Sequence, residues 1–369
     1  MEEIPLKYKI ALSLIPRIGD INARKLVSYT GSVEAVFHEP YRSLVKIPGI
    51  GSSLAKYISD RSYLKIAEQE AEFVEKKKIK TFFYLDSDYP YRLKQCEDSP
   101  VLFYFTGNCD LNAPRILSIV GTRNATSRGR EICDRIIAGL AVDNPGLLII
   151  SGLAYGIDIT AHKSALANNL PTVGVLGHGF NTLYPSVHRP VASAMLEKGG
   201  LITDFRSDEK PERNNFIKRN RIIAGISDAT LVVESAVEGG ALITADIANS
   251  YNRDVFAVPG RPDDPWSGGC NNLIKRNKAA LVENHQDIEY LLDWKPRKSD
   301  EPVQKTLFSQ LTGEEQKIYE ILSRDGEMNL DLLSRETGTP VHKLSAILLQ
   351  MEFCGLVRSH PGNIFRLTS

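Results

Sequence analysis

The chain lacks any pair of cysteines spaced to hold a metal or to close a small loop. Its five cysteines, Cys96, Cys109, Cys133, Cys270 and Cys354, stand far apart with no C-x-x-C spacing. That excludes a zinc ribbon and a disulfide scaffold, and leaves reduced thiols in a cytosolic protein as the expectation. An excess of charge is missing too, since Lys+Arg and Asp+Glu number 45 each. A global positive field is therefore absent, and a nucleic-acid site on this chain has to be a local basic cleft. No apolar stretch approaches the roughly 18 residues that a membrane helix needs. The start, Met1-Glu2-Glu3-Ile4-Pro5, has neither the basic residues nor the apolar run of a signal peptide. The expectation is a soluble cytoplasmic protein with no membrane contact.

What is present is ordinary globular material: 369 residues, 42% hydrophobic and 24% charged, enough for two or three domains. Residues 1–78 read as short helices between Gly turns. Two turns share one form, Ile15-Pro16-Arg17-Ile18-Gly19 and Ile47-Pro48-Gly49-Ile50-Gly51. The second is like a helix-hairpin-helix turn, which offers backbone N–H groups to a phosphate; a compact hairpin with no ligand explains it equally. The first has Arg17 in place of the leading glycine. Lys76-Lys77-Lys78 closes the last of these helices, where cations suit the helix dipole.

Residues 79–293 turn to strands and then to strand–helix alternation, the pattern of a parallel α/β sheet. The expected sheet strands are Ile116–Val120, Leu147–Ile150, Thr172–Leu176, Thr230–Val233 and Val255–Val258. Several run directly into glycine, and in an open α/β sheet the ligand crevice lies beyond the carboxyl ends of the strands. Residues 294–309, polar and Pro-bearing, have the composition of a linker. Residues 310–369 read as helices at Glu314–Leu322, Leu330–Glu336 and Val341–Phe353, then two short β-prone runs around Pro361-Gly362-Asn363. Three helices and a hairpin describe a winged helix. Its six Lys/Arg face eight Asp/Glu, so duplex binding and protein contact both stay open.

Three segments point to an anion. Ile119-Val120-Gly121-Thr122-Arg123 runs a strand into a glycine, a hydroxyl and a planar guanidinium suited to phosphate. A dinucleotide fingerprint would need G-x-G-x-x-G here, whereas the next glycine after Gly121 is Gly129; no NAD or other cofactor is expected. Lys218, Arg219, Asn220 and Arg221 precede the apolar run Ile222-Ile223-Ala224 and are expected at a helix start, where clustered cations imply an anion. Phe216 beside them can stack on a base or pack in the core. Gly239-Gly240, opening a later helix, forms a second cradle. Ser151 and Asp158 read as helix caps, and His162 as packed rather than catalytic. His178 has no second His or Cys at metal spacing, so no metal is assigned. No nucleophile stands beside a base and no carboxylates are paired for acid–base work, so no catalytic residue is assigned.

Taken together, these segments resemble the DNA-processing protein A family (DprA, also called Smf). The residues that carry the resemblance are Asp88-Tyr89-Pro90, Pro100-Val101-Leu102, Val120-Gly121-Thr122-Arg123, Ser151-Gly152-Leu153-Ala154-Tyr155-Gly156-Ile157-Asp158, Tyr184-Pro185, Arg219-Asn220-Arg221-Ile222-Ile223-Ala224-Gly225, Leu242-Ile243-Thr244-Ala245 and Val255-Phe256-Ala257-Val258-Pro259-Gly260. They cover about residues 80–285. The resemblance implies an extended Rossmann domain, flanked by a helical (SAM/helix-hairpin-helix-like) domain and a winged helix, that binds single-stranded DNA without strong sequence preference. It also implies a homodimer that loads the RecA recombinase during natural transformation. The implied pocket is Gly121, Thr122, Arg123, Lys218, Arg219 and Asn220, with Gly239-Gly240 alongside. The chain departs from the family pattern at Asn181, His188, Thr203-Asp204, Ile217 and Gly239-Gly240-Ala241.

Two other readings compete. The Gly-Gly turn resembles the P-G-G-x-G-T-x-x-E signature of nucleotide phosphoribohydrolases, but Glu238, Leu242, Ile243 and Asp246 replace four of its positions. The third is a scaffold that recruits partners through its flanking domains.

Overall fold

The computed structural model describes residues 4–294, 313–353, 356–360 and 363–367. The chain divides into two compact units, Met1–Lys295 and Pro296–Ser369.

The first unit is organised by a nine-stranded sheet. Its strands are β1 (Lys80–Phe83), β2 (Leu102–Gly107), β3 (Ile116–Val120), β4 (Leu148–Ser151), β5 (Thr172–Val175), β6 (Gly200–Thr203), β7 (Ala229–Val232), β8 (Asp254–Ala257) and β9 (Ala280–Leu281), in the order β1-β2-β6-β5-β4-β3-β7-β8-β9. Pairing is parallel from β6 through to β9, whereas β2 pairs antiparallel with both β1 and β6. All five residues of β3 are buried, as expected of a strand covered by helices on both faces. Its one polar residue, Ser118, donates its hydroxyl to the Ile223 carbonyl at 2.6 Å. One apolar layer packs Ile222, Ile226, Ala245 and Leu273 on the sheet. The opposite layer packs Cys133, Ile137, Leu140, Ala161 and Ile288. The sheet runs from β3 to β4 and β5 on one side and to β7 and β8 on the other, so the strand order reverses between β3 and β7.

The five expected sheet strands all form, within a residue or so of the expected bounds. β6 and β9 were not anticipated. β6 is only four residues long and opens on Gly200, and β9 is two exposed residues, too short for an alternation pattern to register.

Six helices precede the sheet: Leu6–Leu14, Asp20–Thr30, Val33–His38, Tyr41–Leu44, Ser52–Ser59 and Ser62–Lys77. The two similar turns adopt one backbone. Arg17 (φ 62°) and Gly49 (φ +88°) both take the left-handed conformation, and Gly19 and Gly51 both serve as extended N-caps. The two turns differ in surroundings, because the Asp20 carboxylate of the first accepts the Val101 N–H at 2.8 Å. The helical region shares its core with the sheet's edge: Leu12, Leu26, Leu44 and Val74 pack with Phe83, Leu102 and Tyr104.

Trp294, expected to begin the linker, is instead buried in the layer that holds Ile288; residues 295–309 of that linker lie outside the described residues. In the second unit, helices Gly313–Asp325, Leu330–Thr337 and Val341–Phe353 bury Ile318, Leu322, Leu333, Leu344 and Leu348. A three-stranded sheet joins them, β10 (Glu327–Asn329), β11 (Val357–His360) and β12 (Ile364–Leu367), in the order β10-β12-β11. This is a winged helix. Pro361 and Gly362 of the expected turn lie outside the described residues. Among the described residues, no helix is long and apolar enough to cross a membrane.

Candidate functional site

A cleft of about 1060 Å³ opens at the carboxyl ends of β3 and β7, the point of strand-order reversal at which open α/β sheets bind ligands. The loop after β3 is held from two sides. The Thr122 N–H donates to the Glu234 carbonyl beyond β7 at 2.7 Å, and the Thr122 carbonyl accepts the Ile157 N–H at 3.2 Å. The buried Glu234 carboxylate accepts the Thr126 N–H at 3.0 Å and the Thr126 hydroxyl. Gly156, at φ +77°, lets a second loop cross here, because a Cβ on it would collide with the Thr122 carbonyl. With its backbone fixed, Arg123 lines the cleft and lies over the Phe216 ring at 5.6 Å.

Lys218–Arg221 do not begin a helix. They lie in the middle of helix Arg213–Ile226, which starts just after Pro211-Glu212. The helix N-terminus that favours an anion therefore lies at Arg213, an exposed residue that lines the cleft, and not at Lys218–Arg221. Arg219 and Asn220 do line the cleft. The buried Arg219 guanidinium donates to the Gly152 carbonyl at 2.8 Å and to the Val175 carbonyl, and lies 6.0 Å from the Phe216 ring. Burial pulls the Arg219 pKa down to about 10, with Asp158 opposing and Arg123 adding to the shift. The group stays charged at neutral pH, yet its charge is incompletely compensated.

Lys218 and Arg221 are turned to other partners. Lys218 lies 3.6 Å from Asp204, and Arg221 pairs with Asp204 and, at 3.0 Å, with Asp20. Neither lines the cleft. Arg221 ties the helical region to the sheet: it is buried, with Asp20 on one side and the Asp98 carbonyl on another.

Gly121 and Thr122 line the cleft from the β3 side, and Gly239 and Gly240 face them at the start of helix Gly240–Ser250, which has no side-chain cap. Phe216 meets Tyr184 at a ring separation of 5.8 Å, so these two aromatic faces share one opening with Arg123, Arg213 and Arg219. Sequence reasoning passed over Arg213, and quoted Tyr184 only within the Tyr184-Pro185 motif without placing it in the site. The signals were available, in Pro211 just ahead of a helix and in the i, i+3, i+7 spacing of Arg213, Phe216 and Asn220 along one helix face.

The expected caps serve differently. The Ser151 hydroxyl donates to the Ile119 carbonyl at 2.6 Å. Asp158 is buried in the first turn of helix Ile157–Ala167; burial raises its pKa, while Arg219 and backbone N–H groups pull it back. His162 is packed, with Nδ1 2.7 Å from the Thr172 hydroxyl, and burial pulls its pKa down to about 3. The His178 ring donates through Nδ1 to the Gly179 carbonyl at 2.9 Å and accepts the Tyr184 N–H at Nε2, 3.1 Å away. Away from the cleft, Asp143, His285 and Glu289 bring ligand atoms within 4.8 Å of one another, with Glu289 accepting from Asn144 at 2.6 Å.

Comparison with known proteins agrees with this architecture. A profile of the family described as DNA recombination-mediator protein A matches residues 80–293, and one for the DprA winged helix domain matches residues 298–363. Protein Smf of a Synechocystis species is 31% identical, covering 96% of this chain and 97% of the relative. The X-ray structure of DNA processing protein A from Streptococcus pneumoniae aligns with a TM-score of 0.67 at 31% identity, over 78% of this chain and 98% of that one. The Helicobacter pylori protein of the same name, solved for its single-stranded DNA binding mode, aligns with a TM-score of 0.53 at 25% identity, over 59% of this chain and 98% of that one. The chain therefore belongs to the DNA recombination-mediator protein A (DprA/Smf) family.

Proposed function

We propose that the chain binds single-stranded DNA, without strong sequence preference, in the cleft at the carboxyl ends of β3 and β7. The observation that carries this reading is the convergence of Arg123 and Arg219 on the Phe216 ring, with Arg213 lining the same opening. Guanidinium groups take backbone phosphates, and an aromatic face takes any base, so the pairing is sequence-tolerant. Gly121, Thr122, Asn220, Gly239 and Gly240 supply the polar lining. Lys218 and Arg221 support the site from outside through Asp204. The single-stranded DNA studied with the Helicobacter pylori relative points to the same class of ligand.

On this reading the protein acts in the cytoplasm by binding and not by a covalent step. As a homodimer it protects DNA taken up during natural transformation and helps load RecA on it. The phosphoribohydrolase alternative predicts free base from nucleoside monophosphates, lost in Asp246→Ala; the present reading predicts none.

The test is a titration of labelled single-stranded and duplex oligonucleotides at two salt concentrations. Tighter single-strand binding is expected, because a narrow cleft admits splayed bases and excludes a stacked duplex. Equal or tighter duplex binding at moderate salt would overturn the assignment.

A further inference from the structure

The cleft does not stop at the crevice between β3 and β7. Its lining continues along Gly269, Asn272, Leu273 and Arg276, positions i, i+3, i+4 and i+7 from one face of helix Gly268–Lys275 and the turn after it. Across from them, Ile243 and Asp246 line it from helix Gly240–Ser250. The eight residues from Gly268 to Lys275 span about 12 Å, so the groove extends well past the Gly239-Gly240 turn. The whole volume, about 1060 Å³, exceeds the range of roughly 300–1,000 Å³ usual for a small-molecule site.

The chemistry along the groove alternates. Val237 and Ile243 are exposed apolar side chains, 61% and 37% accessible, and the half-buried Trp266 lines the same space. At the end stands Arg276, exposed and with no ion pair or side-chain hydrogen bond among the described residues. Its neighbour Lys278 behaves differently, neutralising the groove's own acid, Asp246, at 2.7 Å. Glu238 remains exposed at the rim. An isolated phosphate or a mononucleotide would need only the crevice. Apolar and aromatic surface followed by an unpaired guanidinium fits a chain whose bases and phosphates succeed one another.

We infer that the groove between helices Gly240–Ser250 and Gly268–Lys275 carries the DNA strand onward from the crevice, with a base against Trp266 and a further phosphate on Arg276. This rests on the single-strand reading above and extends the site by at least one phosphate contact.

The experiment measures the full chain against fluorescein-labelled oligodeoxythymidylates of increasing length, by anisotropy at several salt concentrations. Lys65→Ala controls for the loss of one exposed cation, because Lys65 lies on helix Ser62–Lys77 outside the cleft. Arg276→Ala should weaken binding of long oligonucleotides by about three- to tenfold and lower the slope of log affinity against log salt by about 0.7. The loss should shrink as the oligonucleotide is shortened. Trp266 is one of only two tryptophans, and Trp294 is in the core. Binding should therefore quench the indole emission of the wild type and leave that of Trp266→Phe unchanged. If Arg276→Ala matches Lys65→Ala at every length while Arg123→Ala weakens binding, the groove assignment falls and the crevice stands. If the wild type binds no single strand at all, both fall.

Discussion

Arg219 and Arg221 stand two positions apart on helix Arg213–Ile226, a spacing that sends side chains to different sides of a helix. One enters the cleft, and the other pairs with the buried Asp204 side chain and the part-buried Asp20. Arg221→Ala should therefore damage folding, since it leaves Asp204, whose side chain is only 2% exposed, with no countercharge but the half-exposed Lys218 at 3.6 Å. Breaking such a buried pair costs about 3–5 kcal/mol, read as a lower urea midpoint, and an unchanged midpoint would show that Asp204 finds another partner. Arg123→Ala should do the reverse. Its guanidinium makes a ring contact and no ion pair among the described residues, so the thermal midpoint should hold while single-strand affinity falls and the salt slope drops by about 0.7. A variant that unfolds, or one that folds and binds with the wild-type slope, would remove Arg123 from the site. The sequence showed the cations but could not sort them. Their partners, Asp20 and Asp204, lie outside that helix, and only the fold decides which arginine meets an acid.

Where two elements meet, the site depends on a backbone crossing. The loops after β3 and β4 pass so closely that Gly156 has no room for a Cβ beside the Thr122 carbonyl, and its φ of +77° is unfavourable for any other residue. Gly156→Ala should cost about 1–3 kcal/mol from the backbone conformation alone, with the collision added. It should also weaken single-strand binding by displacing Thr122 and Arg123. Urea unfolding alongside an anisotropy titration checks both effects, and retention of wild-type stability would mean that the loops separate at no cost. Elements of this kind were largely legible beforehand: β3, β4, β5 and β7 are buried throughout, and β8 is buried but for its first residue, Asp254. The start of helix Arg213–Ile226 was marked only by Pro211, since the polar first turn, Arg213-Asn214-Asn215, has no apolar period to distinguish it from loop. The apolar run after Arg221 showed only the buried half of that helix.

At the scale of the whole molecule, equal numbers of acidic and basic residues mean that affinity for DNA has to come from geometry and not from bulk charge. The arginines of the cleft are supplied entirely by the unit Met1–Lys295. That unit closes its own core: Trp294, next to its last residue, is buried with Ile288 and Leu140. The winged helix has a separate core, built on Ile318, Leu333 and Leu344, and an acidic balance of six Lys/Arg to eight Asp/Glu over residues 310–369. Among the described residues, the core clusters of the first unit and the cations that line the cleft all precede residue 296, so a chain ending after Lys295 retains them. The fragment should unfold in one cooperative transition and bind a single strand within about threefold of the full chain, or ~0.7 kcal/mol. A cut after Leu291 instead would remove Trp294 and should lower the thermal midpoint, because a large buried aromatic contributes about 3–5 kcal/mol. If the fragment ending at Lys295 keeps its circular dichroism spectrum yet loses the DNA, phosphate binding depends on the winged helix and the cleft is not the primary site. Binding that persists with an unchanged salt slope would mean instead that every phosphate contact lies on the first unit, leaving the winged helix, with its mostly apolar third helix, available to a protein partner.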